Sequence, residues 1–499
     1  MMRMQEKIRT ADQAKRGILM EMENETEYSD VKFSHKKNGQ MDMVTGSLWD
    51  KILLFALPIV VTNVLQQLFN TADIAVVGRL VGNDALAAVG CTGPIVTLFI
   101  TLFSGLAIGA NAVIARHIGA GDRKKTKEAV HTSIAIAVLA GLVIMAVGES
   151  ITRPLLEVVS TPDNVMDLAV TYLRIYFSGS LFLMLYNFEA AILRAGGDTR
   201  TPVFVLMATG VINIGLNLFF VLACGMSVEG VALATLISNI MSALILFMIL
   251  MREEGVLKVR LRSVRIYGKD AKAILMIGVP AAIQGMLFNA ANIVIQSGVN
   301  SLGSDVVAGA TVGLNVETFG YYIVAGFGQT SITFNSQNLG AGKLRRCAES
   351  TRWCLGLGFL VTALASVLMV VFREALAGLF TTDQTLIEIA SVRIMLIAGF
   401  EVVNMVIEVM SGTLRGLGYS ALPALLSVFF VCGVRIFWLF YIFPLNRTFG
   451  WLFTVYPVSW GLAAASMTAA YLIVKKRLYT LAAKRLQAGG NSVQADYNM

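Results

Sequence analysis

The sequence contains little charge and few residues that ligate metals. Only 14% of its 499 residues are charged, against about 25% in a typical soluble domain. Its three histidines show no ligand-pair spacing and its five cysteines form no CxxC motif, so neither a metal site nor a disulfide framework is expected. No GxxxxGK[ST] motif is present, which argues against ATP hydrolysis. What is abundant is apolar sequence, 56% of the chain with a mean hydropathy of +0.70, and this indicates an integral membrane protein.

Twelve mostly apolar segments have the length of about 20 residues that a bilayer-spanning helix needs. We predict spans at 52–77, 85–115, 128–148, 165–193, 202–223, 229–251, 273–299, 306–337, 350–372, 385–413, 421–444 and 452–474. Loops on the side of the N-terminus hold 24 Lys and Arg, and the opposite loops hold 4. The positive-inside rule therefore places both termini in the cytoplasm. The net charge of +8 is then explained by these loops, and no nucleic-acid partner is expected.

The chain repeats itself at a shift of about 221 residues. The segment IGAGDRKK from Ile118 returns as LGAGKLRR from Leu339, and LRAGGDTRTP from Leu193 returns as LRGLGYSALP from Leu414. Two residue pairs match at a shift of 222: Pro58 with Pro280, and Asn70 with Asn292. Since each repeat holds six spans, both enter the membrane from the same face and are parallel repeats.

This pattern predicts an all-α integral membrane fold of two pseudo-symmetric six-helix bundles. The predicted parts are a polar cytoplasmic tail (1–50), a first bundle (51–251), a basic linker (252–272), a second bundle (273–477) and a cytoplasmic tail (478–499). Parallel repeats of this kind place a substrate pathway between the bundles, where tilting one against the other alternates access. Transport is therefore the leading functional class.

Asp73 is the candidate ion-binding residue. An ionisable side chain within a span costs about 3 kcal/mol and usually has a function. Asp73 falls in the outer part of the first span, and Asn213, Asn217 and Thr235 fall in the same part of the fifth and sixth spans. A carboxylate with amide and hydroxyl neighbours suits reversible binding of H⁺ or Na⁺. The alternative is a structural Asp bonded at a helix end.

The second repeat lacks this carboxylate, because Ile295 stands at the shift of 222 from Asp73. Polar residues of its spans form a possible second cation or substrate subsite: Gln284, Asn289, Asn292, Glu317, Asn404 and Glu408. Equally, Glu401 and Glu408 could pair with Arg393 or Arg435 in structural salt bridges, and Glu317 could brace Tyr321.

Several segments together resemble the multidrug and toxic compound extrusion (MATE) family. They are LPIVVTNVLQQLFNTADIAVVGRLVGNDALAAVG around Asp73, ARHIGAGDRKKTKEAVHTS, ILRAGGDTRTP, VINIGLNLFF, NVETF and FNSQNLGAGKLRR. The resemblance covers about Gly46 to Arg477. It implies a bacterial inner-membrane antiporter of twelve helices that exports organic, often cationic, compounds in exchange for Na⁺ or H⁺.

In both main bacterial branches of that family, named after NorM and DinF, a first-helix Asp takes part in ion coupling, and Asp73 matches it. The NorM-like branch adds acidic residues on helices seven and ten, where this chain has Phe288 and Asn404. It is more similar to DinF-like members, whose polar residues on helices four to six are matched by Asn187, Asn213, Asn217 and Thr235. Many DinF-like proteins have Asp at the position of Asn217.

Two other functions are possible. A lipid-linked precursor or polysaccharide flippase of the same fold would have a basic central cavity for phosphate, yet the spans hold few arginines. A membrane enzyme or passive channel lacks a metal set, a nucleophile–base pair or a selectivity-filter motif. We therefore expect a transporter without enzymatic activity or cofactor, acting as a monomer on small organic substrates in contact with membrane lipid.

Overall fold

The structure is a computed structural model that describes residues 41–487. Most of the predicted tail 1–50 and part of the predicted tail 478–499 lie outside the described residues. Within 41–487 every regular element is a helix. We number the main helices in chain order: α1 (Trp49–Val81), α2 (Asn83–Gly119), α3 (Arg123–Val158), α4 (Asp163–Ser178 and Ser180–Ala195), α5 (Arg200–Ala223), α6 (Val228–Arg252), α7 (Gly268–Asn300), α8 (Ser304–Gly340), α9 (Leu344–Val371), α10 (Gln384–Ala398 and Glu401–Gly416), α11 (Ala421–Leu445) and α12 (Phe449–Phe453 and Val455–Gln487).

Among the described residues, nine helices are long and apolar enough to cross a membrane, and α4 makes a tenth if its two parts form one span. The other two, α8 and α10, have sufficient length but contain buried polar and charged residues such as Glu317 and Glu401. The all-helical membrane fold is thus as predicted, with one helical stretch for each of the twelve predicted spans.

Two predicted spans are broken helices. The fourth, predicted as 165–193, bends by 45° at Gly179, and the tenth, predicted as 385–413, is interrupted around Gly399. Glycine is unfavourable in a helix interior because it loses more backbone freedom on ordering than any other residue, which agrees with a break at each of these positions. The predicted linker 252–272 is also shorter in the structure, since α7 already begins at Gly268.

The two halves of the chain touch at one end of the molecule. We call this the basal end, defined by residues 41–51 and the ends of α2 and α8 at Gly119 and Gly340; the opposite end is apical. A Cβ on Gly119 would overlap the Gln337 carbonyl oxygen, and one on Gly340 would overlap that of Arg116. Only glycine lets the two backbones approach this closely, so the basal ends of α2 and α8 close against each other.

Hydrophobic packing follows the two halves. Two apolar clusters draw their residues mainly from 77–277, and two others from 295–482. A further cluster joins 43–59 to residues of 324–409. The beginning of α1 therefore packs on the second half. The α2 helix also packs closely along α7, where a Cβ on Gly105 would overlap Ala282 and one on Gly109 would overlap the Ile274 carbonyl oxygen.

Residues 41–47, which we call the basal strap, connect the two halves at the basal end. The Met43 side chain is fully buried, and Arg346 donates hydrogen bonds of 3.2, 2.8 and 2.9 Å to the carbonyls of Met43, Thr45 and Gly46. On the first half, the backbone of the strap lies directly against Gly197.

The strap also contains an internal turn organised by Asp42. Partial burial acts to raise the pKa of Asp42, but hydrogen bonds from the Thr45 side chain and from the Val44 and Thr45 backbone amides, with the nearby charge of Lys51, lower it overall. The carboxylate is therefore held in its charged form, in which it can accept all three hydrogen bonds.

Candidate functional site

Asp73 is buried, with 8% of its surface exposed, and two residues of other helices hold its carboxylate. Asn217 Nδ2 on α5 donates to Oδ1 at 2.5 Å, and Thr235 Oγ1 on α6 donates to Oδ2 at 3.1 Å. Both donors are neutral, so the site places one negative charge among neutral polar groups. That arrangement leaves the charge available to a proton or a small cation.

Asn213 completes the polar lining one helical turn below Asn217. Its Oδ1 accepts a 3.4 Å hydrogen bond from Asn217 Nδ2, and its Nδ2 donates to Thr235 Oγ1 at 3.5 Å. The Asn217 Oδ1 atom is buried and has no hydrogen-bond partner among the described residues. Carboxylate, amide and hydroxyl oxygens are the ligands that hard cations take, so this set can accept either H⁺ or Na⁺.

One neighbour of this site was missed in the sequence. Tyr172 on α4 is buried and lies within electrostatic range of Asp73. Its position 99 residues away in sequence carries no local pattern that links it to Asp73. Only the packing of α4 against the other helices brings the two together.

Asn187 belongs to a different place. Its Nδ2 donates to the Leu183 carbonyl within α4, and its Oδ1 accepts a 3.4 Å hydrogen bond from Ser104 on α2. Among the described residues it forms no hydrogen bond with Asp73, and it lines a cavity between the halves instead.

That cavity has a volume of about 70 Å³, well below the roughly 300–1,000 Å³ of sites that enclose drug-sized ligands. Its lining is mainly amide and hydroxyl groups, with the guanidinium of Arg194 and no carboxylate. The lining side chains come from α1, α2, α4 and α8: Thr62, Asn63, Gln66, Ser104, Ala107, Ile108, Asn111, Tyr186, Asn187, Ala190, Ala191, Arg194, Gln329, Ile332 and Thr333. In this closed basal arrangement, the cavity has room for a few water molecules.

The residues of the possible second subsite contact separate partners. Asn289 donates to Thr101 on α2 at 2.9 Å. Asn404 donates to Glu401 at 2.8 Å within α10, and Glu408 packs against Gly328 of α8.

Three of these residues meet buried arginines of the second half. Glu317 accepts hydrogen bonds of 2.9 and 2.7 Å from Arg393. Gln284 accepts one of 2.7 Å from Arg415, and Asn292 accepts one of 2.6 Å from Arg435.

These contacts differ from the alternative pairings considered for the second half. Arg393 pairs with Glu317 rather than with Glu401 or Glu408, and Arg435 binds an amide rather than a carboxylate. The burial of Arg415 (7% exposed) was not foreseen, because its basic charge near a helix end is typical of a solvated loop. In the second half, polar oxygens thus face built-in guanidinium groups.

Comparisons with known proteins agree with this fold. The family model named MatE matches the chain twice, at residues 58–219 and 280–440. A probable multidrug resistance protein YoeA of Bacillus subtilis is 30% identical over 78% of this chain and 86% of its own length. A probable multidrug resistance protein NorM of Thermotoga maritima is 29% identical over 77% of this chain and 84% of its own.

Solved structures are similar in fold at lower identity. An outward-facing multidrug resistance MATE family transporter of the MOP superfamily superposes with a TM-score of 0.82 at 21% identity, over 89% of this chain and 100% of its own. A MOP superfamily transporter from Pyrococcus furiosus, for which a reversed polarity of the binding pocket is described, gives 0.81 at 22% identity, over 89% of this chain and 100% of its own.

The paired family matches, the similarity to relatives over most of their length and the all-helical membrane fold lead to one assignment. The protein is a multi-pass membrane transporter rather than an enzyme, and it belongs to the multidrug and toxic compound extrusion (MATE) family.

Proposed function

We propose that the protein is a secondary antiporter that exports organic, cationic compounds in exchange for H⁺ or Na⁺, with Asp73 as the coupling carboxylate. The observation that carries this proposal is the buried Asp73 carboxylate held by Asn217 and Thr235. The names of the relatives, which are multidrug resistance or multidrug export proteins, support drug export. The basal end then faces the cytoplasm, with both termini, as the distribution of Lys and Arg favours.

The structure corresponds to the state of this mechanism in which the basal end is closed. An ion that reaches Asp73 from the apical side changes the balance between two arrangements of the halves. Ion and substrate binding are linked, because each can shift the equilibrium only through its different affinity for the two arrangements. Opening at the basal end requires separation of α2 from α8 around Gly119 and Gly340.

We further propose that the chain is DinF-like rather than NorM-like. The polar residues around Asp73 lie on α5 and α6, and α7 contributes amides rather than carboxylates. Asn217 supplies an amide where many DinF-like proteins carry Asp, so a single carboxylate binds the ion. Asn187 takes no part in that site in this proposal, but contributes to the cavity between the halves.

The test is efflux of a fluorescent organic cation from proteoliposomes, with pH and Na⁺ gradients imposed separately. We expect one gradient to drive efflux by the native protein and Asp73→Asn to abolish it. The matched control is Asp84→Asn, which removes an exposed carboxylate near the apical end. Gradient-driven export that survives in Asp73→Asn would refute the coupling role of Asp73.

A second candidate function is transport of a lipid-linked precursor. It is favoured by Arg194, which gives the cavity a positive charge without a carboxylate among its lining residues. Scrambling of a fluorescent lipid-linked phosphate in the same proteoliposomes, with no efflux of any cation, would support it. Arg194→Gln should then reduce scrambling.

A further inference from the structure

Arg435 occupies an unusual position within the second half. Its side chain is completely buried, and its only direct hydrogen bond in the described structure joins Nη1 to Asn292 Oδ1 at 2.6 Å. The Nε and Nη2 atoms have no hydrogen-bond partner among the described residues. The guanidinium carbon lies 4.8 Å from the centre of the Phe288 ring and 4.2 Å from that of Tyr456.

This environment binds a cation without a carboxylate. Aromatic faces attract cations through their quadrupole, and the attraction strengthens when water is excluded. The amide oxygen of Asn292 adds a direct hydrogen bond. Glu317, the carboxylate that interacts with Arg435 at longer range, is already paired with Arg393.

The repeat relates Arg435 to the Asp73 site of the first half. Residues of α1 and α7 correspond at a shift of 222, which pairs Asn70 with Asn292. In α5 and α11 the shift is 221 at the helix starts, where Pro202 corresponds to Pro423.

A π-helical turn then changes this correspondence. The turn Val428–Gly433 interrupts α11, whereas α5 is α-helical up to Leu218. A π-turn accommodates one additional residue, so the shift becomes 222 beyond Gly433. Asn213, which lines the Asp73 site, therefore corresponds to Arg435.

The third helix of each site agrees with this correspondence. Thr235 lies seven residues after Val228, where α6 starts, and Tyr456 lies seven residues after Phe449, where α12 starts. Thr235 contacts Asp73 and Asn213, and Tyr456 contacts Arg435. The two halves thus build a polar or aromatic site from equivalent helices, one around a carboxylate and the other around a guanidinium.

We propose that Arg435 is a tethered cation that permanently fills the second half's counterpart of the Asp73 site, so that only the first half exchanges an ion during transport. The inference rests on the proposed antiport function. Ile295 at the counterpart of Asp73 removes the charge that an exchangeable cation would need, and Arg435 supplies the cation from within the chain. The second half is then always in the equivalent of the ion-loaded state.

The first test measures binding, independently of transport. In purified Arg435→Ala, guanidinium or methylguanidinium chloride at millimolar concentration should raise the unfolding temperature, while equal concentrations of urea should not. Native protein and Asp73→Asn, in which Arg435 still fills the site, should show no such rise. If guanidinium does not stabilise Arg435→Ala, or urea does so equally, the site is not selective for a cation and the proposal is wrong.

The second test compares two variants that keep a long, polar side chain, one charged and one neutral. Arg435→Lys should keep gradient-driven efflux within about twofold of native, and Arg435→Gln should lower it by about tenfold, which corresponds to about 1.4 kcal/mol of lost cation binding. This pair also decides the question if Arg435→Ala does not fold. Equal efflux by Arg435→Gln and native protein would overturn the proposal, because the charge would then have no role.

These outcomes separate the inference from the proposed function. If Arg435→Gln lowers gradient-driven efflux and Asp73→Asn abolishes it, the results support both the tethered cation at Arg435 and the coupling role of Asp73. If Asp73→Asn retains full gradient-driven efflux, the coupling role of Asp73 fails, whereas the guanidinium stabilisation of Arg435→Ala still reports on the cation site in the second half.

Discussion

Asn217 donates a 2.5 Å hydrogen bond to the carboxylate of Asp73 across 144 positions of the sequence. This contact fixes the charged group of α1 against α5, and Thr235 fixes it against α6. In the proposed antiport mechanism, binding or release of an ion at Asp73 changes the contacts among these three helices of the first half. This is the link through which an ion can bias the position of α1, which also packs on the second half.

Replacement of Asn217 by Leu should weaken coupling. The change keeps the branching and the number of heavy atoms of the side chain but removes the donor to Asp73, and loss of such a bond costs about 1–3 kcal/mol. We expect about a tenfold change in the ion concentration that gives half-maximal efflux. Asn446→Ala, in an exposed loop, is the control, and an unchanged ion dependence in Asn217→Leu would contradict the role of this bond.

Thr235 allows a finer comparison. Thr235→Val preserves the shape but lacks the hydroxyl, which donates to Asp73 and accepts a hydrogen bond from the Asn213 amide. Thr235→Ser keeps the hydroxyl. Ion-dependent efflux should be impaired in Thr235→Val and close to native in Thr235→Ser. Similar behaviour of the two variants would mean that the hydroxyl does not take part in the site.

The Glu317–Arg393 pair should contribute to stability rather than to ion exchange. Both side chains are buried and joined by two hydrogen bonds, so Glu317→Gln should destabilise the protein by about 3–5 kcal/mol because it leaves Arg393 without its counter-charge. The double variant Glu317→Gln with Arg393→Met should recover much of the loss. Thermal unfolding in detergent measures both, and a fully stable single variant would contradict this assignment.

The glycine contact at the basal end should control which side is open. Gly119→Ala places a Cβ where the Gln337 carbonyl lies, so the basal ends of α2 and α8 should separate. A cysteine introduced by Gln329→Cys in the cavity, with the native cysteines replaced, should then react faster with an impermeant maleimide from the basal side. Gly90→Ala in the same helix has open space at its Cβ and should leave the reaction rate unchanged. Equal rates in the two variants would show that the Gly119 contact does not keep the basal end closed.

The basal strap should depend on Arg346. Arg346→Ala removes three hydrogen bonds to strap carbonyls, and hydrogen exchange over residues 41–47 should become faster. Arg352 lies further along the same helix, α9, and is exposed, so Arg352→Ala should leave strap exchange unaffected. Slow exchange in Arg346→Ala would show that burial of Met43 alone holds the strap.

The pH dependence of the strap follows from Asp42. Because hydrogen bonds and Lys51 lower the pKa of Asp42 in the folded protein, its stabilising effect is present at neutral pH and is lost as pH falls through the lowered pKa. Asp42→Asn should abolish this acid-dependent part of strap exchange. An unchanged pH profile in Asp42→Asn would exclude Asp42 as its source.

The sequence by itself determined the membrane class, the twelve helical stretches and the repeat. Each span is a continuous apolar run whose length the bilayer thickness sets, and the charges of the loops are read directly from the residues between the spans. It also identified Asp73 and its partners Asn217 and Thr235, since few polar residues occur at that depth. Breaks at Gly179 and Gly399 escaped prediction because apolar sequence continues on both sides of each.

Only the tertiary structure decided which polar groups pair in the second half and where Asn187 lies. Arg435 could bind Asn292 or a carboxylate, and Asn187 could approach Asp73 or the cavity, until the rotation and tilt of the helices were fixed. Those angles come from packing between residues more than 100 positions apart, as in the contact of Arg435 with Asn292. The pattern of a single span carries no information about them, because it states which residues are polar but not which neighbours they meet.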